Sequence, residues 1–234
     1  MDLMIDVCGL AKTFVLHRQH GTVLPVLDDM AFSVNAGECL VLHGPSGTGK
    51  STLLRTLYGN YLPSRGRIGV RHRGAWLDIA TAEPRQVLDV RRLTMGYVSQ
   101  FLRVIPRVSC LDVVMEPALA RGQDPEQARA RSSSLLEQLS IPGRLWALPP
   151  NTFSGGEQQR VNLARSFMVP WPVVLLDEPT ASLDDANRAV VLDLIRQAKH
   201  QGAAMIAISH DAPTRSAIAD RYFDMSTREL ADVC

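Results

Sequence analysis

The sequence lacks any long hydrophobic run and any marked excess of charge. No stretch approaches the roughly 18 apolar residues of a membrane span, and the first residues lack the basic start and apolar core of a signal peptide. Lys and Arg number 25 against 24 for Asp and Glu, so the formal net charge is only +1. This balance gives no global attraction to nucleic acid. We therefore expect a soluble, cytoplasmic chain with no nucleic-acid partner and no direct membrane insertion.

Cysteine is scarce, and its spacing excludes two further classes of protein. The four cysteines, Cys8, Cys39, Cys110 and Cys234, are scattered and form no CxxC pair. This pattern predicts reduced thiols rather than a disulfide framework or a zinc site. The 234 residues, 46% of them hydrophobic, suffice for one large domain with a real core.

A glycine-rich segment at residues 44–51 fits the pattern GxxxxGK[ST] at every fixed position. An apolar run at residues 39–42 leads into it, and residues 51–57 lead out with helical spacing, so the context is strand, loop and helix. Such a loop turns its backbone N–H groups toward phosphate oxygens at a helix N-terminus. The candidate phosphate-binding residues are Gly44, Pro45, Ser46, Gly47, Thr48, Gly49, Lys50, Ser51 and Thr52. The segment predicts an ATP site, in which Lys50 contacts the β- and γ-phosphates and Ser51 is a ligand of Mg²⁺.

Other polar side chains follow the ends of predicted strands. Apolar runs end at Gln100, at the pair Asp177 and Glu178, and at His210. Because ligands of open parallel sheets bind at the carboxyl ends of the strands, we expect all four to line one crevice with the glycine loop.

Phosphoryl transfer suggests a role for each of these residues. Asp177 suits coordination of Mg²⁺ through water, and Glu178 can polarise the attacking water. Gln100 can contact that water or the metal, and His210 can donate to the γ-phosphate. A lone Gln or His at a strand end is more often an ordinary surface residue, but the glycine loop favours the catalytic interpretation.

The rest of the chain predicts an α/β fold with a mostly parallel sheet. Residues 3–35 alternate short apolar runs with turns, which is typical of an antiparallel β arm. From about residue 102 to residue 150 the apolar residues recur at helical spacing, which suggests a helical subdomain. This subdomain would be inserted into a core formed by residues of about 1–101 and 151–234. Phe14 in the arm is either a purine-stacking aromatic or a core residue. A locally basic segment is expected to be a solvated face, with docking of an acidic partner as the alternative: Arg65, Arg67, Arg71, His72, Arg73, Arg91 and Arg92.

One more motif, Ser154, Gly155, Gly156 and Glu157, opens a predicted helix. A capping box between Ser154 and Glu157 is the structural explanation. Two glycines at a helix start cost about 1 kcal/mol each against Ala, however, and suit close approach to a phosphate.

This segment resembles the signature of ABC-type ATPases, and the resemblance covers almost the whole chain. It implies that Lys50 is the Walker A lysine, Gln100 the Q-loop residue, and Asp177 and Glu178 the Walker B pair. It further implies that Asp184, in residues 182–184, is the D-loop aspartate, that His210 is the switch histidine and that Phe14 is the adenine-stacking aromatic. In that family the signature of one subunit closes over ATP held by another, so a homo- or heterodimer of ABC subunits is implied.

Within that family, four segments look like the L-type ABC subunit of the bacterial carbon–phosphorus lyase system: residues 16–27, 96–107, 114–117 and 152–162. This resemblance implies soluble carbon–phosphorus lyase partners. It also implies a part in phosphonate catabolism, by forming ribose 1-methylphosphonate 5-triphosphate from ATP and a phosphonate.

Two alternatives remain open at the level of sequence. The first is the ATPase of an ABC exporter or lipoprotein-releasing transporter, which needs a groove for a permease helix, expected between residues 101 and 117. The second is a nucleotide-sensing module with little turnover, which Glu178 and His210 disfavour.

Overall fold

The fold consists of two β-sheets and seven α-helices within residues 2–16, 21–99, 102 and 106–232, which the computed structural model describes. The strands are β1 (Leu3–Leu16), β2 (Thr22–Asn35), β3 (Cys39–His43), β4 (Arg65–His72), β5 (Ala75–Asp78), β6 (Met95–Val98), β7 (Val173–Asp177), β8 (Ala204–Ile208), β9 (Arg221–Asp224) and β10 (Leu230–Asp232). The helices are α1 (Lys50–Leu57), α2 (Pro84–Leu93), α3 (Cys110–Leu119), α4 (Pro125–Gln138), α5 (Gly155–Ser166), α6 (Asp185–His200) and α7 (Ala212–Ile218).

The larger sheet has six strands in the order β10-β9-β3-β8-β7-β6. Strands β9, β3, β8, β7 and β6 are parallel, and β10 joins the edge antiparallel to β9. Every residue of β7 and β8 is buried, as expected for parallel strands covered on both faces. The polar residues that follow β3, β7 and β8 therefore lie along one edge of the sheet.

Alternate residues of the parallel strands pack in two separate hydrophobic cores. Leu40, Leu175 and Ile206 pack on the side of the antiparallel sheet and α1. Val41 and Leu176 pack on the opposite side, with residues of α3 to α7. The period of two along each strand thus produces three layers with the parallel sheet in the middle.

The smaller sheet is antiparallel, with the order β2-β1-β4-β5. The predicted arm is present, but it consists of two strands of 14 residues instead of several short ones. Register shifts interrupt the pairing of β1 with β2, and Gly9 and Asp29 have positive φ angles of 60° and 52° near them. These irregularities explain the turn-like breaks in the sequence pattern, because bulges carry residues that resemble turn residues.

The predicted helical segment contains α3 and α4, and both pack against α5. Helix α5 begins after residue 150, beyond the predicted end of the subdomain. The three helices also share one hydrophobic core with strands β7 and β8, so they do not enclose a core of their own. The division at about residues 102–150 stays a prediction.

Four elements were not predicted: α2, α7, β9 and β10. Helix α2 is mostly exposed and buries only Val90, although Val87, Val90 and Leu93 recur at helical spacing. Its start carries a signal that could have revealed it, a capping box of Glu83 with Gln86 and a proline at the first turn.

Local ion pairs neutralise much of the basic segment. Arg65 pairs with Asp28 and Arg67 pairs with Asp6, each at 2.6 Å. The carboxylate of Asp89 accepts from Arg73, Arg92 and His72. The positive charge is thus divided among separate partners, which favours the solvated face over a docking patch. No helix in the described part of the chain is long and apolar enough to span a membrane.

Candidate active site

The glycine loop lies between β3 and α1, as the motif predicts. Gly47 and Gly49 have φ angles of 86° and 90°, which side chains other than glycine rarely adopt. A Cβ on Gly49 would also come within 3.0 Å of Val26 and Leu27. Within the loop the Thr48 hydroxyl donates to the Pro45 carbonyl at 2.9 Å. Backbone geometry therefore explains the glycine pattern.

Lys50 is the first residue of α1, and its ammonium group folds back over the loop. Its Nζ donates to the carbonyl oxygens of Gly44 and Pro45, at 2.7 and 2.8 Å. The residue is buried, and this burial lowers the pKa of Lys50, while the nearby charge of Glu178 opposes the shift. The loop thus holds a positive charge where a phosphate would need one.

Asp177 ends β7 opposite the start of α1. It is only 2% exposed, and its Oδ1 accepts from the Ser51 hydroxyl at 3.3 Å. Two of the three residues predicted to contact magnesium, Ser51 and Asp177, are therefore in direct contact, although 126 positions separate them in the chain.

A residue that sequence reasoning missed, Tyr97, also contacts Asp177. Its hydroxyl donates to Asp177 Oδ2 at 2.9 Å, and burial together with the Asp177 charge raises the pKa of Tyr97. Tyr97 pairs with Leu175 across β6 and β7, two residues before Asp177. Leu175 and Asp177 are two residues apart and therefore share a face of β7. The register of β6 against β7 is thus the information that would have placed Tyr97 beside Asp177.

Glu178 leaves the strand in an unusual conformation. Its φ is 57°, in the left-handed region that costs a side-chain-bearing residue on the order of 1–2 kcal/mol. Its Oε1 lies 3.1 Å from His210 Nε2, and its Oε2 accepts from the His210 backbone N–H at 3.4 Å. The structure therefore brings the predicted base and the predicted switch residue together. The Glu178 side chain is 16% exposed, whereas that of His210 is 60% exposed and has room to turn.

The signature residues form the start of α5. The Ser154 hydroxyl accepts from the Glu157 N–H, and the Glu157 carboxylate accepts from the Ser154 N–H, so the capping box is present. The Ser154 hydroxyl and backbone hydrogen bonds lower the pKa of Glu157.

The two signature glycines have no evident structural need within this chain. Neither has a positive φ angle. A Cβ on Gly155 would meet no atom within 4 Å, and one on Gly156 would meet the Ser182 carbonyl at 3.5 Å and the Arg160 guanidinium at 3.7 Å, both ordinary contacts. Among the described residues, no hydrogen bond or ion pair joins the signature to the glycine loop.

Asp184 caps the start of α6. Its carboxylate accepts from the Asn187 backbone N–H at 2.8 Å, and this bond lowers the pKa of Asp184. The preceding Ser182 has a φ of 64°. The loop that contains both residues lies beside the signature, because Gly156 approaches the Ser182 carbonyl.

The roles of two further candidate residues, Phe14 and Gln100, stay predictions. Phe14 is half-buried, and its ring meets Tyr61 edge-on at 5.2 Å with Lys12 Nζ 4.7 Å from its centroid. Packing occupies part of the ring, and adenine stacking stays a prediction. Gln100 lies outside the described residues, so its role also stays a prediction.

The residues present fit Mg²⁺ bound together with a nucleotide. Asp177 and Ser51 offer oxygen atoms, which this hard cation prefers. In the described part of the chain, no group of three His, Cys, Asp or Glu residues could hold a metal by itself. This is the expected arrangement for Mg²⁺, which is commonly held by one or two protein ligands, water and substrate phosphates.

A glycine loop between a parallel strand and a helix, with an acidic pair ending a nearby strand, defines a P-loop nucleoside triphosphatase. Comparison with known proteins narrows this class. Residues 27–181 match the ABC transporter family. The chain belongs to this family, and ATP and Mg²⁺ are its cofactors.

Its relatives include two export proteins. The chain is 34% identical over 233 residues to the macrolide export ATP-binding/permease protein MacB 1 of Yersinia pestis bv. Antiqua (strain Antiqua), covering 99% of this chain and 34% of that protein. It is 31% identical over 225 residues to MacB of Salmonella typhimurium (strain LT2), covering 96% of this chain and 33% of that protein. The chain thus spans about a third of the length of these relatives.

Solved structures confirm the predicted ABC ATPase fold. The dimeric bacterial ABC transporter cassette MJ0796 superposes with a TM-score of 0.84 and 25% identity over 94% of both chains. A dimeric post-hydrolysis state of MJ0796 bound to ADP and Pi gives a TM-score of 0.86 over 99% of both chains, at 23% identity. The relatives described above are export proteins and not carbon–phosphorus lyase subunits, so they do not support the narrower resemblance to that system.

Proposed function

We propose that this chain is an Mg²⁺-dependent ATPase subunit that works in a pair and drives movement in a partner protein. The observation that carries this proposal is the meeting of Ser51 with Asp177 beside the glycine loop, with Glu178 next in the chain. This arrangement has the parts that phosphoryl transfer needs: a phosphate cradle, oxygen ligands for a cation and a carboxylate at the strand end.

Each residue then has a definite task. The loop N–H groups and Lys50 bind the β- and γ-phosphates, while Ser51 and Asp177 hold Mg²⁺, which neutralises the charge developing on the phosphates. Glu178 orients a water molecule for attack and accepts its proton. His210 leaves Glu178 and donates to the γ-phosphate. The contact between His210 and Glu178 supports this, because a short rotation of an exposed imidazole releases the base.

The signature acts on a second subunit. Gly155 and Gly156 weaken the start of α5 without any internal reason, since neither glycine is required by a positive φ or by close packing. A phosphate bound by another subunit gives that reason, because its oxygens must approach the backbone N–H groups of a helix N-terminus. The dimeric MJ0796 cassettes support a pair of two copies of this chain. A related ABC subunit is the alternative partner.

The first candidate for the driven partner is the permease of an exporter. It is supported by the two relatives, which are ATP-binding/permease proteins and about three times as long as this chain. A cavity of about 270 Å³ lies between α2, α3 and α5, and of the described residues in the segment 101–117, where the groove was expected, only Glu116 and Pro117 line it. Leu88, Arg92, Glu116, Pro117 and Arg165 are among its lining residues. We propose that this cavity receives a helix of the permease.

The second candidate is a soluble phosphonate-processing complex. It rests on the resemblance of residues 96–107 and 152–162 to the carbon–phosphorus lyase subunit. One structural feature involves both segments: Asn162 of α5 donates to the Ser99 carbonyl at 2.7 Å. In this case the ATPase acts in forming ribose 1-methylphosphonate 5-triphosphate.

One pair of experiments separates the two candidates. The chain is tagged at its native locus, purified from detergent-solubilised cells, and its co-purifying subunits are identified. A deletion strain is then grown with a phosphonate or with phosphate as the sole phosphorus source. An exporter ATPase co-purifies with a permease, and its deletion leaves growth on phosphonate intact. Soluble partners and loss of growth on phosphonate alone would overturn the exporter assignment in favour of the phosphonate complex.

A further inference from the structure

Tyr97 contacts the candidate magnesium site from β6, whereas Ser51 contacts it from α1. It lies on β6, the strand paired with β7, and its hydroxyl donates to Asp177 Oδ2 at 2.9 Å. The other oxygen, Oδ1, accepts from Ser51 at 3.3 Å. Among the described residues, each oxygen of this buried carboxylate therefore has one donor, and the two donors come from different elements.

The Tyr97 ring is itself held in place. It stacks on Tyr58 with ring centroids 5.0 Å apart and an interplanar angle of 29°. The guanidinium of Arg91 lies 4.6 Å from the Tyr58 centroid, and its Nε donates to the Tyr58 carbonyl at 2.9 Å. A side chain fixed in this way gives its hydroxyl a definite direction.

We propose that Tyr97 is a positioning residue for the magnesium site, an inference that rests on the proposed role of Asp177. A carboxylate offers about four lone-pair sites to donors and metals. The Tyr97 bond occupies one site on Oδ2 and restrains rotation of the carboxylate, so its remaining sites would stay available to a cation. Partners that orient metal ligands in this way typically change metal affinity by 10- to 100-fold.

The variant Tyr97→Phe tests this role, because it keeps the ring and its stacking and removes only the hydroxyl. Tyr58→Phe is the matched control: it removes a hydroxyl from the same stacked pair, and no hydrogen bond from Tyr58 to Asp177 is present among the described residues. Binding of Mn²⁺ to the protein saturated with a non-hydrolysable ATP analogue is measured by electron paramagnetic resonance. Binding of the analogue without metal is measured by calorimetry in EDTA.

We expect Tyr97→Phe to bind Mn²⁺ about tenfold more weakly than the parent, with metal-free nucleotide binding unchanged. Tyr58→Phe is expected to match the parent in both measurements. Equal Mn²⁺ affinity in Tyr97→Phe and the parent overturns the inference and leaves the proposed function intact. A parent protein that binds the analogue but no Mn²⁺ overturns the proposed function itself. An equal loss of metal-free binding in Tyr97→Phe shows a structural role and also overturns the inference.

Discussion

Lys50 is the residue on which nucleotide binding depends most directly. Its ammonium group donates to two loop carbonyls and is buried, so its charge is already directed into the loop. Charge-assisted hydrogen bonds contribute roughly 1.5–3 kcal/mol each. We therefore expect Lys50→Ala to weaken Mg-ATP binding by about 10- to 100-fold in calorimetry. Arg196→Ala, at an exposed position on α6, is the control and should bind normally. Unchanged affinity in Lys50→Ala would show that the loop is not the phosphate site.

A substitution at Glu178 distinguishes ATP binding from ATP hydrolysis. Glu178→Gln keeps the shape of the side chain but cannot accept the proton of the attacking water. Loss of a general base typically costs about 10²- to 10⁴-fold, so hydrolysis should fall by at least about 10²-fold while ATP binding persists. Asp185→Asn, which changes a carboxylate with 95% exposure, should hydrolyse ATP at the parent rate. Phosphate release at steady state measures both variants, and parent-like turnover in Glu178→Gln would assign Glu178 a structural role.

At this scale the sequence indicated candidate residues but not the contacts between them. The spacing of the glycine loop and the acidic pair led to Lys50, Ser51, Asp177 and Glu178, because these residues follow strand ends. Tyr97 was missed because its role depends on the register between β6 and β7, which a single strand pattern does not contain. The contact of Glu178 with His210 depends on a left-handed backbone at a non-glycine residue, which the sequence does not signal.

At the scale of elements, we expect one substitution at the start of α5 to raise stability and to lower ATPase activity. Gly155→Ala adds a Cβ in open space and should stabilise the helix by about 0.4–1 kcal/mol in urea unfolding. The same methyl group should obstruct a phosphate held by the second subunit, so ATPase activity should fall. Gly143→Ala, which also adds a Cβ in open space, should leave activity unchanged. A Gly155→Ala protein that is more stable and fully active would contradict the proposal that the signature glycines contact a phosphate of the second subunit.

A second element-scale prediction concerns the packing of β6. A Cβ on Gly96 would lie 2.7 Å from the Trp171 ring, whose indole N–H is fixed by the Ser166 carbonyl. Overpacking of this kind costs about 1–3 kcal/mol. Gly96→Ala should therefore lower the free energy of unfolding by that amount in urea, against Gly143→Ala as control. An unchanged unfolding midpoint would mean that the Trp171 ring moves away freely.

Elements with strong apolar runs were predictable, and exposed ones were not. β7 and β8 are buried throughout, so their sequences contain continuous hydrophobic residues. Helix α2 buries only Val90, and its signals were short: the N-terminal capping residues and the spacing of Val87, Val90 and Leu93. The length of β1 and β2 was underestimated because bulges at Gly9 and Asp29 resemble turns.

At the scale of the whole molecule, the three layers hold the signature apart from the glycine loop, which supports the proposal that the site is shared between two chains. The glycine loop, Asp177 and Glu178 meet at one edge of the parallel sheet, whereas the signature opens a helix in the layer on one face. No described hydrogen bond or ion pair joins the two. A second copy related by two-fold symmetry can bring its signature to the first copy's phosphates, which forms two shared sites per dimer. The arrangement of two copies in a dimer cannot be predicted from one sequence, because the contacts that determine it involve a second chain.

The most direct test of this account mixes two variants that are each expected to hydrolyse ATP poorly when assayed at low ATP concentration. Lys50→Ala weakens phosphate binding, and Gly155→Asp places a carboxylate in the first turn of α5, where it suits the helix but repels a phosphate. In a mixed dimer the intact Lys50 of one copy faces the intact signature of the other. If the two sites work independently, an equal mixture should recover on the order of a quarter of parent ATPase activity. Activity of the mixture no higher than the sum of the separate variants would contradict a site shared between two copies of this chain.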